Sequence, residues 1–138
     1  MLCMLHDMGH SHPCGWNPPI IAAYADWVVK KGAPLVTFAT QPVQRSAAAR
    51  LKIPASVEIT GATLYWIDAP MRYIVQDKYH LGLTDARYME QIWQTLPAQV
   101  ENGIVSASLP ENACGYYLEV RYMTGGQELT ATSVYTSL

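Results

Sequence analysis

Hydrophobic and polar positions change period once along this chain, and the change divides it. In residues 18–32 the apolar side chains Ile20, Ile21, Tyr24, Trp27 and Val28 recur at the spacing of one helix face. Asn17-Pro18 provides a side-chain acceptor for the cap and a proline whose missing N–H is harmless in the first turn. Lys30-Lys31-Gly32 provides cations and a glycine stop at the other end. The pattern predicts a helix whose apolar face needs a partner. From Ala33 onward the period falls to two. Residues 35–38 and 48–53 predict short strands, residues 57–67 a long strand with a bulge at Gly61, and residues 104–109 a further strand.

The clearest strand lies at residues 116–122, where Tyr116, Leu118, Val120 and Tyr122 share one face and Glu119 and Arg121 the other. Gly125-Gly126 then predicts a turn into a last strand at residues 129–135. Residues 83–96 read two ways. Thr84-Asp85 suits a helix cap ahead of Tyr88, Ile92 and Trp93, and a loop leading into a strand at residues 91–95 suits them as well. Residues 2–5 suit the last strand of another sheet. Short strands broken by Pro, Gly and Asn, with no helices between them, predict a mainly β fold. The expected architecture is an immunoglobulin- or fibronectin-III-like β-sandwich over residues 34–138, preceded over residues 1–33 by a segment with one α-helix.

Composition narrows the function. At 138 residues the chain can hold one domain with its own core and a short appendage. Half the residues are hydrophobic, 14% are charged and the net charge is −2, which excludes a disordered chain and offers no basic stripe for nucleic acid. The longest apolar stretch, residues 20–29, is interrupted by Asp26 and falls short of the roughly 20 residues a membrane helix needs. Met1-Leu2-Cys3-Met4-Leu5 runs straight into polar residues and is too short for a signal peptide, so the chain as written is expected to stay in the cytoplasm. Cys3, Cys14 and Cys114 make no even disulfide framework.

The candidate chemistry gathers in His6-Asp7-Met8-Gly9-His10-Ser11-His12-Pro13-Cys14-Gly15-Trp16. In α/β-hydrolases the triad runs nucleophile, acid, histidine, with the histidine on the loop between the last strand and the last helix. The imidazole must hang from a loop so that one ring nitrogen faces the serine hydroxyl and the other a carboxylate. A short apolar run, a histidine loop and a well-marked helix are that order of parts.

On these residues the chain resembles a family. His10-Ser11-His12-Pro13-Cys14-Gly15-Trp16-Asn17-Pro18-Pro19-Ile20, with Ala25-Asp26 and Gly32-Ala33-Pro34-Leu35, is similar to the C-terminal end of secreted bacterial serine esterases. These are the acetyl-xylan-esterase-like and PhoPQ-activated pathogenicity-related-like α/β-hydrolases, in which a histidine-rich loop and a final helix lead into an immunoglobulin-like domain. Ala62-Thr63-Leu64-Tyr65-Trp66, Trp93-Gln94-Thr95-Leu96-Pro97-Ala98, Val105-Ser106-Ala107-Ser108-Leu109-Pro110 and Gly115-Tyr116-Tyr117-Leu118 resemble those appended domains.

The resemblance implies that His10 is the general base, with His12 and then His6 behind it. It also implies a longer parent, exported or periplasmic, whose hydrolase domain holds the nucleophile, the acid and the oxyanion loop and is this segment's partner. A histidine alone supplies no activated nucleophile, so the chain itself is expected to be inactive and to use no cofactor. The orphaned helix is expected to cover the sandwich or to pair with a second copy.

Other readings of the same residues compete. Ser11 imitates an elbow serine, but Pro13 stands where that turn wants glycine. His6, His10, His12, Cys3 and Cys14 carry the right atoms for zinc, yet Gly9 and Pro13 argue against a helix and no second ligand pair follows, so no metal site is assigned. The many tyrosines and tryptophans are expected to be core; the competing reading is a carbohydrate-binding face, which residues 71–88 with Tyr73, Tyr79 and His80 would mainly carry. The rival to an esterase fragment is an independent β-sandwich binding or structural module.

Overall fold

Where the period-two pattern is strongest the chain builds its central strand. The computed structural model describes residues 18–42, 47–69 and 93–138. Among them a helix, α1 (Pro19–Lys30), precedes β1 (Ala48–Lys52), β2 (Glu58–Ile67), β3 (Gln94–Pro97), β4 (Gln99–Glu101), β5 (Ile104–Ser108), β6 (Gly115–Thr124), β7 (Gln127–Thr132) and β8 (Thr136–Ser137). One antiparallel sheet runs β3-β2-β6-β7, with β8 also paired to β6, and a second runs β1-β5-β4. The molecule is mainly β, two sheets with a single helix among the described residues, as the patterning predicts.

Alternation along β6 makes the core. Tyr116, Leu118, Val120 and Tyr122 are each no more than 1% exposed. They pack with Leu64 and Trp66 of β2, Leu129 and Ala131 of β7, and Ala49, Leu51 and Val105 of the second sheet. Each such large apolar side chain stabilises the fold by about 1.5–3 kcal/mol when fully buried. The predicted bulge is present: Ile59 pairs with Tyr122 and Gly61 with Arg121, leaving Thr60 extra. A Cβ on Gly61 would run into the Arg121 guanidinium, so the glycine makes room for that side chain.

Several elements differ from their sequence expectation. Residues 35–38 form no ladder; Leu35 and Val36 enter the core, and the first bond to β1 comes from Ala39 N–H to the Lys52 carbonyl at 3.1 Å. The strand expected at residues 91–95 begins at Gln94, and residues 83–92 lie outside the described residues. β4 is wholly exposed and carries no apolar alternation, so periodicity misses it. The signal that marks it is Asn102-Gly103, whose φ values of 52° and 75° make the type I′ hairpin to β5. The final strand stops at Thr132, and β8 turns back to pair Gly115 with Ser137 and Tyr116 with Thr136.

The helix forms where predicted with its start shifted by one residue. Pro18 is the cap residue and Pro19 begins the helix, while Asn17 lies outside the described residues. Lys30 and Asp26 form an ion pair at 2.9 Å. Lys31, not Gly32, adopts the left-handed conformation at φ 54°, and Gly32 N–H donates to the Asp26 carbonyl at 3.1 Å.

Candidate functional site

The sequence-predicted site residues His10 and His12 lie outside the described residues, as do His6, Ser11, Cys3, Cys14 and the loop of residues 71–88. Among the described residues no group of His, Cys, Asp and Glu could hold a metal ion. Three surfaces remain on which function can be argued, and each follows from a sequence pattern.

The first is α1. Only Ile20 and Ala23 pack against the core, and the helix meets β7 along that edge. No helix residue is buried. Ile21 is 38% exposed, Trp27 39%, Tyr24 52% and Val28 58%, so much of the apolar face stays open to solvent among the described residues. Tyr24 and Trp27 are in edge-to-face contact, with centroids 6.0 Å apart. The segment after the helix is fixed to the β6–β7 turn. Thr124 Oγ1 donates to the Pro34 carbonyl at 3.1 Å, and Ala33 lies close against Gly125. The chain leaving the helix is therefore tied to that turn.

The second is an aromatic cluster on the face of the larger sheet away from the core. Tyr65 and Tyr117, directly paired across β2 and β6, stack at 4.9 Å with planes 4° apart. Trp93 meets Tyr117 edge-on at 5.0 Å and Tyr135 at 6.2 Å. Gly115 lets Tyr135 lie over the strand, since a Cβ there would clash with its ring. Tyr117 is only 1% exposed, which makes this a satellite core and not an open platform. Burial, the Glu119 carboxylate and a hydrogen bond to it raise the Tyr65 pKa above 10.0, against the opposing charge of Arg121. Trp66, Tyr116 and Tyr122 are core, as expected of strand aromatics.

The third, not foreseen from the sequence, is an open groove of about 400 Å³ on the outer face of the smaller sheet. Its signal was the alternation Ala48-Ala49-Arg50-Leu51-Lys52, which buries Ala49 and Leu51 and turns Arg50 outward. Arg50 pairs with Ser106 of β5, which pairs with Gln99 of β4. Leu96 and Pro97 flank the groove where the chain passes from one sheet to the other.

Comparison with protein-family models, with curated proteins and with solved structures finds no match to this chain.

Proposed function

We propose that this chain is the non-catalytic C-terminal part of a secreted serine esterase-type hydrolase, in which α1 packs against the catalytic domain and the sandwich is an accessory module. The observation that carries this reading is the exposed face of Ile21, Tyr24, Trp27 and Val28, on a helix that follows directly on the histidine loop. A contiguous apolar face of this kind marks a surface that works covered. The order of parts supports the same reading: histidine loop, helix, sandwich. In the parent His10, or His12 beside it, would take the proton from the serine hydroxyl.

Strand order supports an immunoglobulin-like sandwich. β1, β5 and β4 stand where strands B, E and D stand in that fold, and β3, β2, β6 and β7 where C′, C, F and G stand. Trp66, buried on the strand in the C position, fits the tryptophan common there.

The test is the DNA immediately upstream of Met1. An open frame encoding Gly-x-Ser-x-Gly is the expected result, and a stop codon followed by a ribosome-binding site would overturn the fragment reading. The alternative is an independent binding or structural module, and the same exposed face then implies pairing with a second copy. Light scattering on the 138-residue chain tests that pairing, with a dimer that Trp27→Glu dissociates as its expected outcome. The orphaned helix of a fragment pairs in the same way, so it is the upstream DNA that separates the two readings.

A further inference from the structure

The outer face of the β1-β5-β4 sheet combines a trough, hydroxyls and a guanidinium. Alternation and register together place Arg50, Ser106 and Gln99 in one row across three strands. In the next row Ala48 lies beside Ser108. These small side chains leave the floor low, and Leu96 and Pro97 give it an apolar wall. Arg50 forms no ion pair among the described residues. Lys52 shares the face, but Ile104 and then Glu101 stand beside it, so the Arg50 end is the one that favours an anion.

We propose that this groove binds an acidic polysaccharide, with Arg50 holding the carboxylate of a uronic acid residue. A guanidinium matches a carboxylate with two parallel N–H···O bonds. The Ser106 and Ser108 hydroxyls and the Gln99 amide can exchange hydrogen bonds with ring hydroxyls, and the apolar face of a sugar suits Leu96 and Pro97. An extended peptide fits less well. Peptides that add to sheets run along an unpaired strand edge, whereas this groove lies on the face of the β1-β5-β4 sheet and crosses its strands. This inference deepens the accessory-module reading and rests on it for placing the ligand among polysaccharides.

Affinity electrophoresis of the whole chain in native gels tests it, with polygalacturonate, neutral xylan or polyglutamate cast into the gel. Retardation by polygalacturonate alone is expected. Arg50→Gln should weaken it roughly tenfold or more, as loss of a charge-assisted pair implies. Ser108→Leu, which fills the trough without changing charge, should weaken it as well. Lys31→Gln removes a cation at the end of α1 and should leave it unchanged. Circular dichroism checks that each variant folds. No retardation, equal retardation by polyglutamate, or an equal effect of Lys31→Gln would overturn the proposal. None of these results bears on the upstream reading frame, so the groove and the fragment reading fail separately.

Discussion

At the scale of single residues, Ser133 rescues a backbone donor that no strand reaches. β7 leaves β6 after Thr132, and Leu118 N–H would be orphaned there. The Ser133 hydroxyl accepts from it at 3.0 Å and donates to the Val134 carbonyl at 3.0 Å. Ser133 is fully buried, so Ser133→Ala should cost about 1–3 kcal/mol in urea denaturation. A loss below about 0.5 kcal/mol would mean that water reaches Leu118. Tyr116 makes a second prediction. Burial raises its pKa above 10.0, partly offset by a hydrogen bond with Thr136. The folded state therefore keeps the phenol neutral where the unfolded state ionises. Its contribution is fully present below about pH 10 and is lost as pH rises through the folded value, by up to about 1.4 kcal/mol per pH unit. Tyr116→Phe should flatten the fall in stability measured between about pH 9 and pH 11. An unchanged slope would assign it elsewhere, for example to Tyr65, whose pKa is also raised. The place of Tyr116 in the core was legible from period two. The task of Ser133 was not, because its partner lies 15 residues away.

At the scale of elements, the end of α1 tests what its glycine is for. Composition reads Gly32 as the left-handed stop, but Lys31 takes that conformation at φ 54°. Gly32 instead sits where a Cβ would come 3.3 Å from the carbonyl carbon and oxygen of Asp26. Lys31→Gly should therefore raise stability by about 0.5–1 kcal/mol, because left-handed geometry strains any residue with a Cβ. Gly32→Ala should lower it by about as much, as the close approach to Asp26 has to open. Thermal melts followed by far-UV circular dichroism read both, and effects of the same sign would refute this division of roles. What makes elements legible is an apolar face. α1, β2, β5 and β6 declare one and appear at nearly the expected bounds. Residues 35–38 declare one too, yet they bury Leu35 and Val36 without joining a ladder, because burial and strand pairing are separate demands. β4 declares none and is visible only through Asn102-Gly103.

At the scale of the whole molecule, the parts legible in sequence and the parts on which the proposed function rests differ. The face of Ile21, Tyr24, Trp27 and Val28 could be read as apolar, but its exposure depends on what the rest of the fold packs against it, and no local pattern fixes that. Arg50 was hidden in an ordinary alternation, because a groove needs three strands to exist. The histidine motif was the most legible feature, and it supports a negative prediction. Turnover by a triad needs an activated nucleophile and a positioned carboxylate as well as a base, and a triad missing one member loses most of its rate. These 138 residues contain no Gly-x-Ser-x-Gly, and Ser11 has Pro13 where the elbow wants glycine. The chain alone should therefore hydrolyse short-chain p-nitrophenyl esters no faster than its His10→Ala and His12→Ala variants. Those variants are the proper control, since free imidazole attacks activated esters slowly without any site. Rates that rise linearly with substrate and match the variants are expected. Saturable hydrolysis that either substitution abolishes and a serine-directed phosphonate blocks would make Ser11 a working nucleophile, and the module a complete enzyme.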